Sequence, residues 1–426
     1  MRTKKYVVVV DAYSPTRRLA PHFHKAGYDV IRVQSTPETP LVYRSDFDLS
    51  PYAVNIVHDG DINATMAQLE PYAPEAVIAG GESGVELTDQ LSEAMGLLTN
   101  GTGYSVARRD KYVQMETVRA AGLRATAQLL VSSPQQLAQW HADIGGRVVV
   151  KPIRSAAGDG VAFCDTPEES VAAYHSILAS DSVFSARNEA VVAQEYLAGG
   201  EYIVDSVSRD GQHHVTDIWK YEKISANGIV DLTTGIRLLP KCGEVQDRLL
   251  PYAANVLDAL GVSHGASHLE IKMTPTGPCL VEAAARMAGL DIPYYSQQCI
   301  GEAQLEWIVD AYTDPDRFAA RWKNDYRLTK HFVSAMTVSH IEAPLRSYPK
   351  MSRLRELESL HDIRMLVPEG GQLRRTVDDM SCPLVVNLAD SVEEVVMRDF
   401  GTVRYLDGPD FYEVGEELLW LHAHTW

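Results

Sequence analysis

The chain has 426 residues, of which 45% are hydrophobic and 23% charged, a composition that is typical of globular proteins and excludes a disordered one. No apolar run reaches the roughly 18 residues of a membrane-spanning helix, and Met1 to Lys5 leads into a strand without a signal-peptide pattern. The five cysteines form no Cys-x-x-Cys pair and the net charge is −18, which argues against a disulfide framework, a zinc site and general nucleic-acid binding. We expect a cytoplasmic protein.

Short apolar strands alternate with helical patterns in the first hundred residues, and this order predicts a parallel sheet with right-handed crossovers. The predicted elements are strand Tyr6 to Val10, helix Thr16 to Ala26, strand Asp29 to Val33, strand Ala53 to Val57, helix Ile62 to Tyr72, strand Ala76 to Ala79 and helix Val85 to Met95.

A glycine-rich turn, Gly80 to Gly84, follows the last of these strands and contains Glu82. Ligands bind open α/β sheets at the carboxyl ends of the strands, so Glu82 is a candidate for a substrate ammonium. The turn matches neither the dinucleotide fingerprint nor the Walker pattern. A tight turn with a carboxylate at the start of a helix explains it equally well.

Two lysines mark the next region. Lys111 lies in the first turn of a helix predicted over Asp110 to Gly122, where a cation opposes the helix dipole. Lys151 ends an apolar strand that opens into a loop of small residues, which includes Ser155 and Ala156. Amides of such a loop can wrap a polyphosphate while the lysine reaches its oxygens. A surface lysine and a plain glycine hairpin are the alternatives.

A strand from Ala190 to Leu197 then runs into a Gly-Gly linker and Glu201. The end of such a strand offers a backbone donor and acceptor to a flat heterocycle, and Glu201 could accept from ribose hydroxyls. A domain hinge with a polar turn accounts for the same pattern.

Further along, the pattern predicts a loop over Glu222 to Asp231 and a small α+β lobe after residue 330, in which Ser391 to Asp399 is a helix and Thr402 to Leu406 a strand. His422 and His424 near the end fit a frayed tail better than a metal site.

The stretch from Ser267 to Pro293 predicts two strands joined by a Pro-Thr-Gly turn, with Glu270 and Glu282 on neighbouring strands. Carboxylate oxygens suit Mg²⁺, and Arg286 could add a positive fork for a phosphate or carboxylate. Two solvated positions of an ordinary hairpin are the alternative, because antiparallel sheets often keep one face wet.

The order and spacing of these motifs resemble the ATP-grasp superfamily over most of the chain. This resemblance implies an α/β fold with α+β lobes: an N-terminal parallel-sheet domain at residues 1–104, a lid at 105–193, a catalytic lobe at 194–330 and a C-terminal lobe at 331–426. The His-Leu-Glu-Ile-Lys and Glu-Ala-Ala-Ala-Arg-Met-Ala-Gly segments are most similar to the L-amino-acid ligases, dipeptide synthetases and related carboxylate–amine ligases of antibiotic biosynthesis.

The resemblance also implies a role for each candidate residue. ATP would bind with its phosphates at Lys111, Lys151, Ser155 and Ala156, its adenine at Gln194 and the backbone of Glu195 and Leu197, and its ribose at Glu201. Glu270 and Glu282 would bind one or two Mg²⁺ ions, which Mn²⁺ could replace, Arg286 the acyl phosphate, and Glu82 and Leu290 the first substrate.

The sequence departs from the family at three places. Ala284 stands where many members have an asparagine that binds metal, which leaves the number of ions open. Ala156 and Ala157 make the lid loop poorer in glycine than usual. Leu290 replaces an aromatic residue that narrows the acyl pocket in some relatives, and a wider pocket is expected.

The resemblance implies an ATP-dependent ligase that joins two amino acids, or an acyl-amino acid and an amino acid, through an acyl phosphate, with Lys151 and Arg286 as the catalytic groups. A carboxylase-type or nucleotide-biosynthetic ligase is the first alternative, and a nucleotide-binding sensor without catalysis is the second. The expected partners are small-molecule substrates, with neither nucleic acid nor membrane. A homodimer is compatible with the sequence, which identifies neither the substrates nor the base for the incoming amine.

Overall fold

A computed structural model describes residues 4–40, 43, 48–155, 158–182 and 187–415. The chain forms two compact units, one of Met1–Ile218 with Pro240–Arg327 and one of Trp219–Leu239 with Leu328–Trp426. Residues 219–239, grouped above with the catalytic lobe, therefore belong by their contacts to the second unit. The finer division into four domains stays a prediction.

The strands are numbered in chain order. They are β1 (Lys5–Val10), β2 (Tyr28–Gln34), β3 (Val54–Val57), β4 (Val77–Ala79), β5 (Gln128–Leu130), β6 (Val148–Pro152), β7 (Ala162–Cys164), β8 (Val191–Glu195), β9 (Gly200–Arg209), β10 (Gln212–Ala226), β11 (Ile229–Leu239), β12 (Gly265–Thr274), β13 (Gly277–Ala284), β14 (His331–Met336), β15 (Ala343–Ser347), β16 (Leu360–Met365), β17 (Gln372–Leu373), β18 (Leu384–Asp390) and β19 (Glu413–Val414).

The helices follow the same numbering. They are α1 (Leu19–Lys25), α2 (Ile62–Leu69), α3 (Val85–Ala94), α4 (Lys111–Ala120), α5 (Pro134–Ile144), α6 (Pro167–Leu178), α7 (Glu244–Ala259), α8 (Ile292–Ile300), α9 (Gln304–Thr313), α10 (Pro315–Arg321), α11 (Met351–Arg355) and α12 (Glu393–Leu406), with 3₁₀ turns at Ser14–Arg18, Glu70–Tyr72, Glu82–Gly84 and Pro409–Phe411. Among the described helices, none is both long and apolar enough to cross a membrane.

The first unit begins with the predicted parallel sheet, in the strand order β3-β2-β1-β4. The side chains of Val7 to Val10 in β1 are buried on both faces of this sheet, as is usual for parallel strands covered by helices. The chain leaves β1 toward β2 on one side and reaches β4 on the other. The ends of β1 and β4 therefore flank the topological switch point, where open α/β sheets bind ligands.

Two antiparallel sheets complete the first unit. One has the order β5-β8-β6-β7 and packs against α5 and α6, whose buried Leu137 and Ile177 join its core. In the other, β12 lies between β13 and β9. Helices α4 and α6 start at polar caps: Asp110 accepts hydrogen bonds from two amides at the start of α4, and Thr166 forms a capping box with Glu169 in α6.

The second unit contains the antiparallel strands β11-β14-β18-β16 and the small sheet β17-β15-β19. Helix α12 packs on β14 and β18. The predicted strand Thr402 to Leu406 is wrong, since these residues continue α12. Val396, Val403 and Leu406 recur at helical spacing and are buried in one core, so the helix runs on through Gly401.

The predicted loop over Glu222 to Asp231 is also wrong. Strand β10 extends to Ala226, β11 begins at Ile229, and the intervening Asn227 and Gly228 both have positive φ angles, 55° and 83°. This is the backbone of a two-residue hairpin turn, for which Asn-Gly is the preferred sequence. The charged residues misread as a loop are half-buried positions of a long hairpin.

Candidate active site

The two carboxylates singled out in the sequence lie directly opposite each other. In the antiparallel pairing of β12 and β13, Glu270 is the cross-strand partner of Glu282, and the register shifts between Glu270 and Ile271. Side chains opposite each other in such a pair are neighbours on one face of the sheet. Both side chains are partly exposed, at 25% and 27%, so their oxygens are accessible to a ligand.

Lys111 joins helix α4 to this hairpin. Its Nζ donates to Glu282 Oε1 and to the carbonyl of Ser155, both at 2.8 Å. Its backbone amide donates to the carbonyl of Ile153 at 3.0 Å. Lys111 thus connects the start of α4 both to β13, which carries the candidate metal ligand Glu282, and to the loop after β6. The alternative of a surface lysine is excluded, because Lys111 is 4% exposed.

A helix side chain also braces the strand next to Glu282. Gln114 of α4 is buried, its Oε1 accepts from the amide of Ala283 at 2.8 Å, and its Nε2 donates to the carbonyl of the same residue at 2.7 Å. Both polar backbone groups of Ala283 are satisfied by this one amide.

Lys151 ends β6 and is buried beside the two carboxylates. Burial and, to a smaller extent, the charge of Lys111 lower the pKa of Lys151 to about 8, against the raising effect of Glu282, Glu270 and Glu201. A buried ammonium of this kind is poised to gain an anionic partner. Ser155, four residues on, is also buried, whereas Ala156 lies outside the described residues.

The residues expected to meet adenine lie in and just after β8. Gln194 Nε2 donates to Gln128 Oε1 at 3.0 Å, and the amide of Glu195 donates to the carbonyl of Ala127 at 2.9 Å. The carboxylate of Glu195 accepts from the Ala127 amide at 2.9 Å. Leu197 is buried after the end of the strand. These bonds fix the end of β8, and the adenine assignment stays a prediction.

Glu201 in β9 has a cationic neighbour that the sequence analysis did not assign. Lys272 is its cross-strand partner in β12, and the Lys272 ammonium lies 3.6 Å from Glu201 Oε2 and 4.7 Å from the centre of the Tyr196 ring. Both charged side chains are buried. The signal was present in the sequence, because His268, Glu270 and Lys272 alternate along one strand and so share a face.

His268 forms a second pair that was missed. Its cross-strand partner in β9 is the fully buried Asp205, and its Nδ1 lies 2.7 Å from Asp205 Oδ1. Its Nε2 lies 3.7 Å from Glu270 Oε1. Burial disfavours the charged ring, but the charge and hydrogen bond of Asp205, with a contribution from Glu270, outweigh it and raise the pKa of His268 to about 9.

A separate cluster surrounds Glu82 at the carboxyl end of β4. Arg286 Nε donates to Glu82 Oε2 at 2.9 Å, and Arg109 Nη1 donates to the other oxygen. Burial acts to raise the pKa of the Glu82 carboxyl, but the charges of Arg109 and Arg286 outweigh it and leave the pKa below its ordinary value. The structure thus joins the predicted Glu82 and Arg286, and adds Arg109.

The glycines of this turn have a packing reason. A Cβ at Gly80 would lie 2.7 Å from the carbonyl oxygen of Val10, and one at Gly84 would lie 2.9 Å from the same atom. The turn therefore rests directly on the end of β1. There Asp11, at φ 55°, accepts from Ser83 Oγ at 2.6 Å. The interpretation as a tight turn is confirmed, and the role of Glu82 in binding a substrate ammonium stays a prediction.

Leu290 also has a left-handed backbone, with φ of 54°, and its side chain is 44% exposed. The next residue, Asp291, pairs with Arg18 at 3.0 Å. Within the described residues no group of three or more His, Cys, Asp or Glu side chains is arranged to hold a metal. The candidate cation site therefore rests on the Glu270 and Glu282 pair, and His422 and His424 lie outside the described residues.

Comparison with known proteins identifies the family. Residues 144–293 match the model of the ATP-grasp domain. The chain is 31% identical over 421 residues to dapdiamide A synthase of Enterobacter agglomerans, covering 97% of this chain and 98% of that one. It is 25% identical over 259 residues to alanine–anticapsin ligase of Bacillus subtilis (strain 168), covering 57% of this chain and 54% of that one.

Solved structures show the same fold. An L-amino acid ligase from Bacillus licheniformis superposes with a TM-score of 0.74 at 14% identity, over 97% of this chain and 99% of that one. The biotin carboxylase domain of the Hydrogenobacter thermophilus 2-oxoglutarate carboxylase, solved with MgADP, gives 0.63 at 12% identity over 97% and 91%. The fold is thus the ATP-grasp fold, as predicted. This protein belongs to the ATP-grasp family of ligases and is an ATP-dependent enzyme that forms an amide bond.

Proposed function

We propose that the protein joins the carboxyl group of one amino acid, or of an acyl-amino acid, to the amine of a second amino acid, and releases ADP and phosphate. The observation that carries this proposal is the pairing of Glu270 with Glu282 on adjoining strands. The Lys111 ammonium contacts Glu282, and the buried Lys151 lies beside both carboxylates. The full-length similarity to dapdiamide A synthase supports it.

The phosphates of ATP would bind between Lys111, Lys151 and the loop that contains Ser155 and Ala156. Lys111 already contacts the Ser155 carbonyl. A phosphate bound beside this loop would therefore lie close to the ammonium groups of Lys111 and Lys151. Burial strengthens each such contact, because the low local dielectric reduces screening.

Adenine would lie at Gln194, the backbone of Glu195 and Leu197, and ribose at Glu201. The Lys272 ammonium, 3.6 Å from Glu201 Oε2, supports this arrangement, because it helps to fix the position of the carboxylate that would accept from the ribose hydroxyls.

Glu270 and Glu282 fit Mg²⁺ by their chemistry, since this cation takes one or two carboxylates and fills its shell with water and phosphate oxygens. When bound, the ion offsets the charge of the phosphates. Glu270 and Glu282 would hold it, and Lys111 would orient Glu282 through the 2.8 Å contact. Ala284, two positions after Glu282, offers no side-chain oxygen, so Glu270 and Glu282 would supply the carboxylate ligands of one ion.

The chemistry proceeds by activation of the acid. The carboxylate of the first substrate attacks the γ-phosphorus of ATP, ADP leaves, and the neutral amine of the second substrate attacks the resulting acyl phosphate and displaces phosphate. Lys151 offsets charge on the transferred phosphoryl group. Arg286 binds the acyl phosphate and the tetrahedral oxyanion, so its contact is strongest in the transition state.

Glu82 would hold the ammonium of the first substrate, and Leu290 would line its side-chain pocket. Both oxygens of Glu82 accept hydrogen bonds from guanidinium groups. An arriving ammonium would replace one of these contacts, and a freed Arg286 would turn to the phosphoryl group. The same exchange couples substrate binding to assembly of the site.

The test is ATP-dependent phosphate release across a matrix of amino acids and acyl-amino acids offered as acid and as amine, with the product mass confirming an amide. Release that needs one acid and one amine supports the proposal. Release driven by bicarbonate alone would instead indicate a carboxylase-type ligase, and ATP binding without turnover on any pair would indicate a nucleotide sensor.

A further inference from the structure

The Asp205 and His268 pair adjoins the cation site but is not used by the reaction described above. Asp205 is 0% exposed, one of its oxygens accepts from His268 Nδ1, and Oδ2 accepts no hydrogen bond from any described residue. Burying a charged pair costs solvation, and well-packed apolar residues would serve the sheet core at least as well. A role outside stability is therefore the better explanation for it.

The geometry directs the ring at Glu270. Because Asp205 binds Nδ1, the orientation of the imidazole is set, and Nε2 points to Glu270 Oε1 at 3.7 Å. The residue opposite His268 in β13 is Ala284, whose methyl group offers no competing polar partner. Both ring nitrogens thus face carboxylates: Nδ1 lies within hydrogen-bond distance of Asp205, and Nε2 lies within ion-pair distance of Glu270.

The two carboxylates of the pair have different neighbours. The register shift between the strands leaves Val281 of β13 as the extra residue, whereas β12 pairs regularly with β9 through Glu270. Glu282 is held by Lys111 at 2.8 Å and flanked by Ala283, which Gln114 braces. His268 supplies the corresponding contact on the other strand.

We propose that His268, oriented by Asp205, is a positioning residue that holds the Glu270 carboxylate in place for a divalent cation. This inference rests on the proposed function, in which Glu270 binds the ion. Partners in the second layer of a metal site fix the direction of the ligand, and their loss commonly weakens metal binding by about 10- to 100-fold. The ring would act through Glu270, without binding the ion or the substrate.

Removing the ring alone would have two effects. Glu270 would lose its neighbour at Nε2, and the buried Asp205 would lose its hydrogen-bond partner at Nδ1. The double variant Asp205→Asn with His268→Asn removes the ring together with the carboxylate that orients it. It also avoids leaving a buried carboxylate without a counterion, which could unfold the single variant.

The experiment measures Mn²⁺ binding by the full chain in the presence of ADP, from the electron paramagnetic resonance signal of free Mn²⁺. We expect the double variant to raise the Kd for Mn²⁺ by about tenfold or more, with the affinity for ADP alone and the melting temperature near those of the wild type. His213→Asn is the matched control, because His213 pairs with Asp258 at 3.1 Å and touches none of the site residues named above.

The variant Glu270→Gln separates the positioning role of His268 from the metal-binding role of Glu270. If this variant loses Mn²⁺ while the double variant binds it as the wild type does, the positioning role is overturned and the metal role of Glu270 stands. If Glu270→Gln binds Mn²⁺ unchanged, the proposed cation site itself fails. Equal weakening by the double variant and by His213→Asn would also overturn the positioning role, because the effect would then be a general loss of stability.

Discussion

Two acidic sites in the first unit differ in how their charge is balanced. Glu82 is 6% exposed, and two arginines occupy both of its oxygens. Glu270 and Glu282 are cross-strand partners with side chains that are 25% and 27% exposed, and Lys111 lies 2.8 Å from Glu282 while the His268 ring lies 3.7 Å from Glu270. The first arrangement is a closed ion cluster that a ligand must open. The second leaves two carboxylates facing one space, which favours a bound cation.

The strongest test of this comparison removes one of the facing carboxylates. We expect Glu282→Gln to lower turnover by roughly 10³, because a bound divalent cation contributes several kcal/mol and each ~1.4 kcal/mol is a factor of ten in rate. Phosphate release at saturating Mg²⁺ measures it. Glu75→Gln is the control, since Glu75 pairs with Lys5 at the edge of the parallel sheet, and an unchanged rate for Glu282→Gln would exclude Glu282 as a ligand.

Removing an arginine from the ion cluster around Glu82 should have the next largest effect on turnover. Arg286→Ala is expected to lower turnover by about 10², the usual cost of removing one donor to a developing oxyanion. Arg286→Lys keeps a charge but not the planar fork, so it should recover only part of the rate. If Arg286→Ala releases phosphate in a single-turnover experiment at nearly the wild-type rate, the role of Arg286 in binding the oxyanion is refuted.

Removing the acid of the closed cluster should affect substrate binding and leave the cation site intact. We expect Glu82→Gln to raise the KM for the acid substrate about thirtyfold, which corresponds to about 2 kcal/mol for a hydrogen bond to a charged group. The Kd for Mn²⁺ should stay at the wild-type value. An equal loss of Mn²⁺ binding would show that the two sites are one electrostatic unit, contrary to the comparison.

The site that contains Glu270, Glu282 and Lys151 also predicts that the rate depends on pH. Because the pKa of Lys151 lies at about 8, the ammonium is charged below that pH and neutral above it. We therefore expect kcat/KM for ATP to fall by about tenfold per pH unit above pH 8. Lys151→Arg, which stays protonated throughout, should lack this fall. A profile that stays flat to pH 9.5 in the unaltered protein would contradict the assignment.

The smallest expected effect concerns the exposed Leu290. Leu290→Trp should narrow the pocket and shift the preference toward smaller acid substrates by at most about tenfold in kcat/KM. Competition between a small and a large acid in one reaction measures the ratio directly. A shift toward the larger acid would remove Leu290 from the pocket wall.

The sequence predicted features that depend on neighbouring residues along the chain. Alternation and a turn sufficed to place Glu270 and Glu282 on adjoining strands, and the βαβ order sufficed for the parallel sheet. Partners far apart in the chain were not predictable in this way. The contact of Lys111 with Glu282 spans 171 positions, and the pairing of His268 with Asp205 needs the register of β9 against β12.

The two errors have local causes. The hairpin at Asn227 and Gly228 was missed because its charged strands look like a loop, although Asn-Gly between alternating residues is a strong turn signal. Residues 402–406 were predicted as a strand, whereas the burial of Val403 and Leu406 at helical spacing from Val396 keeps the helix intact. Tertiary packing therefore decided the outcome at the helix, and a local turn signal decided it at the hairpin.

The brace between Gln114 and Ala283 has a mechanical consequence. Strand β13 is at the edge of its sheet, and the amide of Gln114 meets its N–H and C=O as one rung of a further strand would. Helix α4 cannot slide along the hairpin without leaving these backbone groups unpaired. Any shift of this helix on arrival of a nucleotide must therefore carry the acidic strand with it, so that the two halves of the site move as one body.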